Sequence, residues 1–220
     1  MTGAATVAVF AGLFVASHLL MSHPLRAPMS ARFGPKGFLA AYSAVAFATF
    51  IPMVVARRSA GAEERLWAVP SWAWTVALPI MLLASVLLAG SFVRNPAMDT
   101  MQSHHAAIGR PAGVFRWTRH PMMWSFALWA LAHLLVHPEP SAVAIAVAVL
   151  VLALFGAAAQ DAKKRVQLGE RWATWERETS FVPFARGVAL PGWFALVGGV
   201  VIFLVATWLH PVPVGVWGLG

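Results

Sequence analysis

FRWTRHPMMWSFALWALAHLLVH, residues 115–137, decides how the chain is read. Beyond Pro121 it is apolar enough to lie in a membrane, yet it holds His120, His133 and His137 and opens with Arg116 and Arg119. Ionisable groups at bilayer depth are costly, so they require a structural or functional reason.

The rest of the chain supports the membrane reading. Of its 220 residues 60% are hydrophobic and 11% charged, with a mean hydropathy of +0.71. A soluble domain carries roughly a quarter charged residues. Six stretches approach the length of a spanning helix: Gly3–Met21, Phe38–Ala56, Trp72–Val93, Pro121–Val136, Ser141–Ala159 and Leu190–Leu209. The expected fold is all-α, a polytopic membrane helix bundle of about six transmembrane helices plus a cytoplasmic amphipathic helix, in a single domain over residues 1–220. The first stretch lacks the basic region of a secretory signal and reads as a retained helix. Cysteine is absent, which excludes disulfides, thiolate metal ligands and cysteine nucleophiles.

The net charge of +8 is unevenly placed. Thirteen of the sixteen Lys and Arg fall in the first, third and fifth connections, from Arg26, Arg32 and Lys36 to the run at 163–186. The positive-inside rule then puts those connections in the cytoplasm and both termini in the periplasm, as in a bacterial inner-membrane protein. The basic excess is an orientation signal with affinity for lipid, and no nucleic-acid partner is expected. The three long connections converge on one membrane face, where long ordered loops tend to be functional. In the last of them, Val166, Trp172 and Trp175, with Leu168 nearby, suit the side of an amphipathic surface helix that faces the bilayer or the bundle, or else a helical extension that merely anchors the fifth span.

The histidines carry the chemistry. His18, late in the first span, either ligates a metal or hydrogen-bonds a neighbouring helix, whereas His23 beside Pro24 is interfacial. Thr118–Arg119–His120–Pro121 reads as a helix start, because proline suits the first turn. There Arg119 reaches an anionic group such as a lipid phosphate, a carboxylate or a haem propionate, or it simply anchors the interface. His133 lies about 20 Å further along the helix than His120 and faces another way, so the two cannot share one metal ion. Trp129, His133 and His137 share a stripe; His137, His104, His105 and His210 read as ordinary surface or loop residues. The sequence has no phosphate-binding glycine loop, no GxSxG elbow and no carboxylate pair within a span. Imidazole is the usual axial ligand of haem b. A haem would account for the buried histidines and for the cytoplasmic arginines, with Arg119 and Arg26 as candidate cofactor-binding residues.

The early-helix His18, followed by PLRAPMSARFG (24–34), AAYS (40–43) and TRHPMMWSFALWALAHL (118–134), resembles the NnrU family over about residues 10–186. That family has 15-cis-zeta-carotene isomerases among its relatives. The resemblance implies an integral membrane protein. For the isomerase branch it also implies haem b held by two histidines and redox-gated isomerisation of a polyene. For the bacterial branch it implies a part in nitric-oxide and denitrification metabolism. The implied partners are the lipid bilayer, a hydrophobic small molecule or nitric oxide, and an electron donor. By motif the isomerase ligands match His18 and His133, with His120 as the RHP histidine. A cysteine that the isomerase carries three residues before the second ligand is Ala130 here, so a cysteine-based ligand exchange has no counterpart. The topology puts His18 near the cytoplasmic face and His133 near the outer face, so His133 and His120 both stay open as partners of His18.

A second resemblance covers residues 113–184. GVFRWTRHPMM (113–123) and DAKKRVQLGERWATWERETSFVPF (161–184) are similar to isoprenylcysteine and phospholipid methyltransferases. Those enzymes cradle S-adenosylmethionine with such segments, which makes a membrane methyltransferase the alternative function. Val114, Met123, Ser125, Asp161, Trp172 and Trp175 depart from that pattern, implying shared ancestry with the methyl-donor site lost.

Overall fold

The structure is a computed structural model that describes residues 3–97 and 108–210; His104 and His105 lie outside them. The described residues form helices α1 (Gly3–Ser22), α2 (Arg26–Ser59), α3 (Trp72–Ser91), α4 (Pro121–Val136), α5 (Pro140–Leu168), α6 (Glu170–Glu178) and α7 (Trp193–Trp208). A turn of 3-10 helix, Gly113–Arg116, precedes α4, and no strand occurs among the described residues. Helices α1, α2, α3 and α5 are long and apolar enough to cross a membrane, and α4 and α7 are apolar helices of 16 residues each. With the short amphipathic α6, this is the all-α membrane bundle that the composition predicts.

The boundaries move where glycine and proline act. The expected first connection is largely helical, because α2 begins at Arg26. Its regular course is interrupted at Gly34 (φ 71°, ψ 168°). A residue before proline is steered out of the helical region, and glycine accepts the positive φ that results. At the other end of the chain, Pro191 and Gly192 delay α7 to Trp193. Helix α5 runs past its apolar stretch to Leu168, and Gly169 (φ 53°) separates it from α6.

Two compact units are distinguished: the residues up to Ala77 with Ala130–Ala159, and Leu78–Trp129 with the residues from Gln160 on. In the first, Gly3 meets Ala60, Val7 and Ala11 cluster with Met53, Phe14 meets Phe50, and His18 meets Tyr42. Rising numbers on α1 match falling numbers on α2, so the pair is antiparallel. Ala144, Ile145 and Ala148 of α5 complete this small-residue seam. The start of α5 is tied down by Glu63, whose Oε2 accepts from the Ser141 N–H at 3.0 Å and its Oγ–H at 2.7 Å. A carboxylate there answers an unpaired amide and the positive helix end. Glu63→Ala is expected to cost about 1 kcal/mol, the scale of a lost helix cap, read as a lowered unfolding midpoint in detergent.

In the second unit α3 and α7 approach closely through small residues. A Cβ at Gly199 would stand 2.5 Å from Val86 Cα, and one at Gly90 2.6 Å from the Val114 methyls. Such contacts bring helix backbones together where lipid supplies no hydrophobic drive between helices. Val86, Leu87, Val114, Phe115, Trp117, Trp172 and Trp175 fill the core beside this crossing.

Candidate functional site

The Arg119–His120 segment is held by its backbone before its side chains act. The Arg119 N–H donates to Ser180 O at 2.9 Å, and Phe184 N–H to Trp117 O at 2.8 Å. Thr118 Oγ1 and Trp124 Nε1 both donate to the Phe181 carbonyl at 2.7 Å, and Ser180 Oγ donates to Trp117 O at 3.0 Å. Residues 117–120 are thereby pinned to 180–184, and Pro121 opens α4 immediately after them.

Both side chains then converge on Asp161, two residues past the apolar part of α5. Arg119 donates from Nε at 2.9 Å and from Nη2 at 2.6 Å, while His120 Nε2 lies 2.8 Å from Asp161 Oδ1. The side chains of Arg119, His120 and Asp161 are 11%, 0% and 4% exposed. A carboxylate only accepts, so Nε2 of His120 carries the proton; Nδ1 is buried with no hydrogen-bond partner among the described residues. Glu176 of α6 lies 3.6 Å from Arg119 and binds Arg165 through two hydrogen bonds of 2.7 and 3.0 Å. Acids and bases thus alternate, and Arg119 also lies over the Phe181 ring, 5.5 Å from its centre. Sequence reasoning missed Asp161 as the partner of the RHP segment. The available signal was a lone carboxylate just beyond an apolar run.

His18 sits in the first unit. Its Nδ1 donates to Phe14 O at 2.8 Å, and its ring packs on Phe14 at 4.0 Å and against the edge of Tyr42 at 5.1 Å. Ser22 Oγ in turn donates to the Tyr42 hydroxyl at 3.3 Å. This orientation reserves Nε2. Metal-binding histidines commonly donate their other N–H to a backbone carbonyl, which fixes tautomer and ring. The donor chemistry of His18 therefore fits an axial ligand.

His133 lies one turn before the end of α4, stacked on His137 with ring centres 5.5 Å apart, and Trp74 meets His137 edge-on at 5.9 Å. Val7 and Ala11 lie level with Ala144–Ala148 near the start of α5, so His18 stands about 10–16 Å further along the helix axis. His18 and His133 occupy different depths of this unit. Arg26 begins α2 with its guanidinium 5.3 Å from the centre of the Phe38 ring. His23 falls between α1 and α2, and His210 follows α7.

Comparison with known proteins adds a family to this geometry. The family model described as NnrU protein matches residues 6–218. The chloroplastic 15-cis-zeta-carotene isomerase of Zea mays is 36% identical over 86 residues, covering 36% of this chain and 24% of the relative. The chloroplastic enzyme of the same name from Arabidopsis thaliana is 33% identical over 86 residues, covering 36% of this chain and 23% of the relative. The match thus spans about a quarter of the length of these curated relatives. No solved structure matches the chain.

Proposed function

The chain belongs to the NnrU family, and from that premise we propose that it is a haem b-binding membrane isomerase acting on a cis double bond of a hydrophobic polyene or isoprenoid. In this reading the chain lies in a bacterial inner membrane, and the charge pattern supports an orientation with both termini periplasmic. The observation that carries the reading is His18, whose Nδ1 is committed to the Phe14 carbonyl so that Nε2 is reserved for a ligand. The isomerase relatives supply the reaction class.

In this reading His18 holds the iron, while Phe14 and the Tyr42 ring keep its imidazole from turning. The rival second ligands each carry a cost: His133 stands at another depth of the helix axis from His18, and His120 has only Nδ1 to offer while Asp161 holds Nε2. Arg26, at the start of α2, serves an anionic group of the cofactor in this reading. A bound haem supplies a redox-switchable Lewis acid for a double bond, and the same chemistry would bind nitric oxide, in keeping with a role in denitrification.

Absorption spectra of the detergent-purified protein, oxidised and dithionite-reduced, test the reading for wild type, His18→Ala, His120→Ala and His133→Ala. The expected result is a haem b redox difference that disappears in His18→Ala and in one of the other two variants. Absence of haem from the wild type would sink the proposal and turn attention to S-adenosylmethionine binding by the 113–184 segment.

A further inference from the structure

We propose that His133, His137 and Glu139 form a site for one divalent transition-metal ion of the zinc class, at the corner between α4 and α5. His133 and His137 are one helical turn apart, joined by the His137 N–H to His133 O hydrogen bond of 2.8 Å. Both imidazoles therefore leave the same face, the spacing used by helical histidine pairs that share a metal. Each offers a ring nitrogen within 4.8 Å of the other's. Pro138 then turns the chain, and Glu139 returns with Oε2 3.7 Å from His137 Nδ1. Zinc ligands stand roughly 2.0–2.2 Å from the metal, hence about 3.3 Å from one another in a tetrahedral shell. His137 and Glu139, at 3.7 Å, already stand near that spacing.

Carboxylate oxygens without hydrogen-bond donors at the same corner point to a cation. Glu139 Oε2 is buried with no hydrogen-bond partner among the described residues. Arg65 approaches the other oxygen only at 3.8 Å, from a side chain 69% exposed. Glu63, which holds Ser141 through Oε2, leaves its Oε1 buried in the same condition. Carboxylate oxygens buried without donors carry a desolvation penalty that a bound cation offsets. Two imidazoles with one carboxylate favour zinc, copper or nickel over magnesium or calcium. The site goes beyond the haem reading and shares only His133 with it.

The test uses the untagged full-length chain in detergent, stripped by a chelator, dialysed against zinc chloride and assayed for metal by mass spectrometry. About one zinc per chain is expected, bound at least on the order of tenfold more weakly by His137→Ala and by Glu139→Gln, with the absorption spectrum of each variant unchanged. Substoichiometric uptake by the wild type, or affinity unchanged in both variants, overturns the site. His133→Ala adds a cross-check: zinc lost with haem kept supports the site, and haem lost with zinc kept overturns it. A chain without haem would defeat only the haem reading, because zinc is counted independently.

Discussion

Asp161→Ala is expected to destabilise the protein by roughly 3–5 kcal/mol, because it strands two buried bases rather than removing one contact. Arg119 loses the hydrogen bonds from Nε and Nη2, and His120 loses its Nε2 partner at 2.8 Å. Glu176 cannot take over, since it lies 3.6 Å from Arg119 and is already bound by Arg165. Asp161→Asn keeps an acceptor but no charge, so it should fall between wild type and alanine. Arg119→Met combined with Asp161→Leu and His120→Phe removes the charges together, and replacement of a whole buried ionic cluster by apolar side chains is often nearly neutral. Unfolding midpoints in a denaturant titration of the detergent-solubilised protein measure all three. A single-residue effect below about 1 kcal/mol would mean that water reaches the cluster and that Asp161 is not its keystone.

The spans were legible because a membrane helix writes itself as a long apolar run, and Gly3–Ser22 or Pro121–Val136 can be read almost to the residue. Local exceptions were harder. The arginine-bearing segment at 26–33 looked like a connection but is helical, and only the Gly34–Pro35 pair marks the break that follows it. The polar ties were invisible for a different reason. Asp161 lies 42 residues from Arg119 and 41 from His120, while Glu63 lies 78 from Ser141. No periodicity encodes such pairings, which only the packed helices bring about. The His133–His137 spacing was visible in the sequence, but nothing there showed that Glu139 would fold back beside it. The orientation of His18 toward its own Phe14 carbonyl likewise belongs to the helix and not to any motif.

Trp172→Ala is expected to cost about 3–5 kcal/mol, whereas Trp172→Phe should cost less than about 1.5 kcal/mol. The contrast rests on what the indole does. Trp172 is fully buried among Leu168, Trp175, Phe115 and Val114, so alanine leaves a large cavity. Its Nε1–H has no hydrogen-bond partner among the described residues. Phenylalanine keeps most of the volume and removes that unsatisfied donor, whose burial is itself unfavourable. The consequence extends to the whole of α6. A helix of nine residues is marginal on its own, and its exposed side carries Glu170, Arg171 and Arg177. The two tryptophans are therefore what hold it in place. Losing Trp172 should release Glu176 from Arg165 and Arg119, so amide hydrogen exchange across 170–178 should accelerate in the alanine variant and stay near wild type in the phenylalanine variant. Equal exchange in the two would show that α6 is held by its ion pairs and not by its buried aromatic face.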